Sequence, residues 1–212
     1  MIGVDDARAW IVGLGARLGA KGFVVAAEGN LSIRIDDQVL ITPTGRHKDM
    51  LRPEDLVLVP ISVDGDHGSG DHGGLAPSSD LAIHRFIYAA RSDVSAIIHA
   101  HLPVAMALTV AGVAPDPSSL PETSLLLPRL PVVPYATAGS MGLAMAVAAA
   151  LSDLGPSGDE ALPNACLLER HGAIAVGDDL DIAFDRLELA ELLCRVHRDA
   201  VLLGAAVGGG RS

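Results

Sequence analysis

The stretch SAIIHAHLPVA, residues 95–105, sets two histidines one residue apart at the end of an apolar run. In an extended strand, residues i and i+2 point to the same side. His99 and His101 therefore offer two imidazoles to one point in space. Two neutral imidazole nitrogens begin a site for zinc or a similar divalent ion. A catalytic site of that kind needs a third protein ligand and an open position. The pair alone also suits two satisfied polar residues at a strand end, so the rest of the site must be found.

The chain has eight histidines, leaving six candidates for the third ligand. His67 and His72 belong to two Asp-His-Gly copies, 66–68 and 71–73, in a Gly-, Asp- and Ser-rich stretch that reads as a solvated surface loop. His47 lies in the polar turn GRHKDM, and His197 sits inside the last helical pattern beside Arg195 and Arg198. His84 follows Asp80 by four residues on another helix. His171 is the best placed, because LLERHGAIAVG holds it between two apolar strand pieces with Gly172 directly after it. A tight bend there delivers an imidazole against the core.

The elements that must position these groups alternate between helix and strand patterns. A first helix is expected over 5–22, capped by Asp5 or Asp6 and stopped at Gly22. LSIRI (31–35) and QVLIT (38–42) read as a hairpin around Asp36 and Asp37, and 55–61 as a further strand. Residues 78–91 read as a helix capped by Ser78 or Ser79, and 94–100 as the strand that ends in the histidine pair. A helix over 103–112 opens with Pro and closes with Gly. A short strand (130–136), a helix (140–154), two strand pieces (165–177) and a long helix (179–204, capped by Asp179 or Asp181) complete the chain. The interspersed pattern implies an α/β or α+β fold.

Bulk composition excludes several function classes. The 212 residues suit a single domain spanning 1–212, and 50% hydrophobic residues with only 3% aromatics imply an aliphatic core. A net charge of −11 argues against nucleic-acid binding. An anionic substrate therefore needs local help from backbone N–H groups or a metal. Cys166 and Cys194 form no metal or disulfide pattern and read as reduced core residues. No basic leader precedes the acidic N-terminus, and the longest apolar run falls short of the ~18 residues of a membrane span. The chain reads as a soluble cytoplasmic protein without membrane association.

Six blocks now carry a resemblance. EGNLSIR (28–34), ITPTG (41–45), PSSDLAIH (77–84), IYAARSDVSAIIHAH (87–101), PVVPYATAGS (131–140) and LLERHGAIAVG (167–177) fall in the order and spacing of the class II aldolase/adducin family. The resemblance runs from about residue 7 to 203, almost the whole chain. It implies a three-layer α/β/α domain around a mostly antiparallel mixed sheet, assembled as a homotetramer with active sites between subunits. It implies that His99, His101 and His171 bind a divalent metal, with zinc first and manganese or cobalt as alternatives. It also implies that substrate phosphate lies on Gly29, Asn30, Thr44, Gly45, Ser78 and Ser79. Turn N–H groups and a helix N-terminus suit that task in an acidic protein.

The implied chemistry is that of a lyase cleaving or forming a C–C bond in a small phosphorylated hydroxy-ketone through an enediolate, with the metal as Lewis acid. A carboxylate beside the metal moves the proton. The family's aldolases have Glu directly after the Ser-Ser pair, whereas this chain has Asp80, expected in the catalytic and metal sets. The side chain is shorter by one methylene, about 1.5 Å of reach. A Ser-Ser-Asp version also resembles a sugar-phosphate 4-epimerase, and a decarboxylase on the same metal site is a further alternative. The stretch 116–127 lacks the acid–base Tyr of the sugar-phosphate aldolases, and its Glu122, in a Leu-Pro-Glu seen in a broad bacterial subgroup, is expected as a second carboxylate. A non-catalytic interaction module resembling the adducin head ranks lower, because all three histidines are kept.

Overall fold

A computed structural model describes residues 2–62 and 74–208. Both Asp-His-Gly copies, with His67 and His72, lie outside the described residues. A seven-stranded sheet organises the chain. Its strands are β1 (Asn30–Ile35), β2 (Gln38–Ile41), β3 (Val57–Pro60), β4 (Ala96–Ala100), β5 (Val132–Val133), β6 (Ala165–Leu168) and β7 (Gly172–Gly177). They lie in the order β3-β2-β1-β4-β7-β6-β5. Every neighbouring pair is antiparallel except β5 with β6, which is parallel.

Strand alternation sends apolar residues to both faces, so the sheet needs a helical layer on each side. One face carries Leu31, Ile33, Ile98 and Ala175 against α1 (Val4–Ala20), α3 (Pro103–Val110) and α6 (Leu180–Gly208). The other carries Ile41, Ile97, Ile174 and Val176 against α2 (Leu81–Ala90) and α5 (Met141–Leu151). The result is the expected α/β/α sandwich. No helix among the described residues is long and apolar enough to cross a membrane. Cys166 and Cys194 are buried free thiols, and burial pushes both up to about 12.

Several boundaries differ from the sequence reading. Gly3 occupies the cap of α1, and Asp5 and Asp6 fall inside its first turn, where the helix dipole favours them. Asp80, not Ser78 or Ser79, occupies the cap of α2, and Ser78 Oγ instead accepts the Asp80 N–H at 3.2 Å. Residues 121–126, with no assigned element in the sequence, form the short helix α4 (Pro121–Leu126), started by a first-turn Pro. The polar turn GRHKDM contains a 3₁₀ turn (Lys48–Met50) with Lys48 buried.

Candidate metal centre

The cluster forms where three sheet ends meet. β4 runs between β1 and β7, and His99 pairs in register with Asn30 on one side and Ile174 on the other. His99 is the fourth residue of β4, on the face that Ile97 shares with α2. His101 leaves the strand, and its N–H donates to Phe23 O at 2.8 Å. Pro103 then opens α3. The buried Glu191 of α6 accepts the Val104 and Ala105 N–H groups at 3.2 and 3.1 Å and so fixes the chain just beyond His101.

His171 arrives from the β6–β7 turn. Its N–H donates to Leu168 O at 3.1 Å, and Arg170 takes a φ of 57°, sparsely populated for a non-glycine residue. The Arg170 N–H donates to Thr109 Oγ1 at 3.1 Å, and its guanidinium lies 4.2 Å from the centre of the Tyr135 ring. These contacts hold the bend that presents His171. Gly172 is required there, because a Cβ would stand 2.4 Å from Ala100 O.

The three imidazole centres lie 4.8 to 5.2 Å apart, and one ring nitrogen of each falls within 4.8 Å of the other two. Asp80 Oδ2 sits 3.1 Å from His99 Nδ1, and an ionised carboxylate only accepts. Nδ1 therefore carries a proton, and in the neutral ring Nε2 carries the lone pair. That Nε2 is buried and finds no hydrogen-bond partner among the described residues. Glu28 Oε2 lies 2.7 Å from His101 Nδ1 and fixes its tautomer in the same way. Burial, then the neighbouring imidazoles, lower the pKa of His101 and His171 against the raising effect of Glu28 and Asp80. Neutral imidazoles are the ligand form. A buried, unpartnered nitrogen on His99, with the half-buried imidazoles of His101 and His171 converging on it, fits a divalent ion.

Asp80 stands behind His99, on the ring edge opposite Nε2, and is not one of the groups whose ligand atoms converge. Burial would raise its pKa, but hydrogen bonds from His99 and Asn30, with the nearby His84, outweigh that effect and hold the carboxyl below the ordinary carboxylate range. Asn30 Nδ2 donates to Asp80 Oδ2 at 2.9 Å. Behind Asn30, the side chains of His84, Ser32 and Tyr88 continue a buried chain of contacts of 2.5, 2.6 and 2.8 Å.

A cavity of about 250 Å³ opens beside the histidines. Its lining includes Gly29, Asn30, Thr44, Ser78 and Ser79 from the expected phosphate set, together with Asp80 and the three histidines. Gly45 lines the adjoining cavity with Arg46 and His47. The N–H groups of Thr44 and Ser78 are taken by Ala76 O and Thr42 O, so those residues have their hydroxyls to offer rather than their amides. Gly29, at φ 71°, brings its backbone so near His99 that a Cβ would meet His99 O at 2.8 Å. Glu122 is exposed in the first turn of α4 and does not line this cavity. His84 lies behind Asn30 rather than in the cluster, while His47 and His197 are elsewhere. Glu28 and Lys48 line the cavity without having been singled out in the sequence. The Glu directly before the Gly-Asn turn was the available signal for the first. Nothing local marked the buried lysine.

An α/β/α sandwich with a convergent histidine triad backed by carboxylates defines a metal-dependent lyase. Residues 10–198 match the family Class II Aldolase and Adducin N-terminal domain, and the chain belongs to this family as one of its enzymes. It is 36% identical over 139 residues to 3-oxo-tetronate 4-phosphate decarboxylase from Cupriavidus necator, a match covering 64% of this chain and 61% of that relative. It is 30% identical over 200 residues to 5-deoxy-D-ribulose 1-phosphate aldolase from Bacillus thuringiensis serovar kurstaki, covering 92% and 85%. The crystal structure of l-fuculose-1-phosphate aldolase from Thermus thermophilus superposes with a TM-score of 0.75 at 28% identity, over 97% of both chains.

Proposed function

We propose that the chain acts as a single-domain, zinc-dependent lyase of the aldolase type on a small phosphorylated hydroxy-ketone. The observation that carries this reading is the unpartnered Nε2 of His99, buried among three histidines with Asp80 on its other nitrogen. Nitrogen donors suit zinc, and manganese or cobalt can replace it. The bound ion would supply Lewis-acid polarisation of the hydroxy-ketone oxygens. His99, His101 and His171 would hold it. Asp80 and Glu28 orient two of those imidazoles. Direct ligation by Asp80 requires its side chain to turn and release His99 and Asn30.

Asp80 is the proton carrier of this proposal. Its depressed pKa keeps it ionised at neutral pH, the form able to accept a proton. In synthesis it takes the proton from the carbon beside the ketone, and that carbon's electron pair forms the bond to an aldehyde. In cleavage it returns the proton to the same carbon as the C–C bond breaks. Glu122 serves as the second carboxylate, for the proton on the aldehyde oxygen. Its exposed position requires that a neighbouring subunit deliver it, which is consistent with a homotetramer whose sites lie between subunits. The phosphate rests on Gly29, Asn30, Thr44, Gly45, Ser78 and Ser79. The names of all three relatives above contain a phosphate ester, which supports that class of substrate. Two buried free thiols suit a reducing cytoplasm.

Metal analysis of purified protein, followed by a screen of phosphorylated hydroxy-ketones, tests this reading. One divalent ion per chain and retro-aldol cleavage that disappears in His101→Ala are the expected results. Absence of bound metal together with unchanged cleavage in His101→Ala would overturn it. Decarboxylation is the second reading, favoured by the decarboxylase among the relatives. Release of carbon dioxide rather than an aldehyde distinguishes it, and inversion of a hydroxyl would indicate epimerase chemistry.

A further inference from the structure

Apart from an ion held by the histidines, the side chains of the cavity offer an anion little positive charge. Two carboxylates, Glu28 and Asp80, line the cavity. Among the described residues of the lining, Lys48 is the one Lys or Arg. It is 1% exposed. Its Nζ donates to Ala27 O and Arg46 O, each at 2.6 Å. Ala27 precedes the turn at Gly29 and Asn30, and Arg46 follows the turn at Thr44 and Gly45. One ammonium therefore ties together the two turns that face the cavity.

The segment cannot easily retreat. Helix α1 packs so closely on it that a Cβ at Gly15 would stand 2.1 Å from Lys48 O. An ammonium has three N–H donors, and the two carbonyls use two of them. Burying a full charge against neutral carbonyls is costly. A neutral amide could clasp the same carbonyls without that cost. A cation is retained where its charge has a use; the Asp80 carboxylate balances part of it, and an incoming anion in the lined cavity would balance the rest.

We propose that Lys48 is the specificity-determining cation of this cavity, holding its two turns together and supplying the charge that admits a phosphate-class dianion over a neutral sugar. The inference rests on the lyase reading for the class of molecule that enters, but not for the binding itself.

Sulfate, a fixed dianion, is the probe. The chain contains lysine only at Lys21 and Lys48, so protein labelled with ¹³C at lysine Cε gives two signals. Titration with sodium sulfate against sodium chloride at matched ionic strength shifts the Lys48 signal saturably and leaves that of Lys21, which pairs with Glu188 on the surface, in place. Lys48→Gln keeps donors for both carbonyls and loses the charge, so its sulfate affinity falls by on the order of tenfold or more, the scale of losing one buried charge pair. Lys48→Arg keeps the charge and most of the affinity. A Lys48 signal unmoved at saturating sulfate, or wild-type affinity in Lys48→Gln, overturns the proposal. The labelled wild-type protein decides the matter if the variants do not fold. Metal content and cleavage by His101→Ala report on the lyase separately: protein that binds no metal and cleaves unchanged in His101→Ala, yet still binds sulfate at Lys48, would sink that reading and support this one.

Discussion

His84 Nε2 lies 2.5 Å from Asn30 Oδ1, deep beneath the cavity. Asn30 Nδ2 faces the accept-only carboxylate of Asp80, so its Oδ1 must receive a proton from His84. Nδ1 of His84 then accepts from the Ser32 hydroxyl, and Ser32 in turn accepts from the Tyr88 hydroxyl. Every donor in the chain points toward Asp80, and aligned bonds of this kind strengthen one another. The chain orients the Asn30 amide and thereby Asp80.

Removing its middle member should therefore act on both stability and turnover. His84→Ala strands the Asn30 carbonyl and the Ser32 hydroxyl in a buried site. We expect a loss of about 2–3 kcal/mol in urea unfolding. Turnover should fall while metal content stays at the wild-type level, because the three ligands are untouched. Tyr88→Phe removes only the terminal hydroxyl and should cost about 1 kcal/mol. Lost metal in His84→Ala would show instead that the network supports the cluster itself.

Glu28 is predicted to tune the metal through His101. Loss of an orienting carboxylate typically weakens metal binding by about 10–100-fold. Glu28 is 55% exposed at the side chain, so water can replace part of its effect and Glu28→Gln should fall near the lower end of that range. Competition with a chromogenic chelator measures the change. Unaltered affinity would make the 2.7 Å contact a surface hydrogen bond without influence on the metal.

Much of the sandwich was readable from the sequence because its strands are apolar runs and its helices carry clear stops. The polar stripe was less so. Asn30, Ser32 and Arg34 alternate with Leu31, Ile33 and Ile35, a pattern that normally marks a strand with one wet face. Here the polar face is covered by α2, where Asp80, His84 and Tyr88 recur at four-residue spacing and meet it. Arg34 completes the contact with its guanidinium 4.8 Å from the Tyr88 ring centre. Neither stripe shows in the sequence that the other is its partner. The burial of Lys48 was equally hidden, since the carbonyls that accept from it belong to turns and carry no side-chain signal. The histidine triad was the opposite case, because strand alternation and the glycine after His171 each constrain where an imidazole can point.

Gly172→Ala tests how strictly that last constraint holds. The new methyl would overlap Ala100 O at 2.4 Å, and a backbone carbonyl in the central strand cannot yield as a flexible side chain can. The β6–β7 turn must shift, and His171 with it. A loss of about 1–3 kcal/mol of stability is expected, the range for overpacking. Metal affinity should fall in the same variant. A fully stable protein that binds metal normally would show that the turn has more freedom than this contact implies.

Acid should destabilise the fold through His84 in a defined window. Burial, opposed in part by Asp80, lowers its pKa from 6.5 to about 3 in the folded protein. The unfolded chain therefore takes up a proton at this residue as pH falls through 6.5, while the folded one stays neutral until about 3. The unfolded state binds more protons across that interval, so stability falls as pH falls, with a limiting slope of about 1.4 kcal/mol per pH unit. Asp80 contributes in a different window, because its stabilisation is intact above 3.8 and is lost only below it. Urea titrations between pH 6.5 and 4 should thus show a shallower pH dependence for His84→Gln than for the wild type. His101 and His171 are present in both proteins, so their share cancels in the difference. Identical slopes would mean that the native state accommodates a charged His84, and the donor chain toward Asp80 could not then have the direction given above.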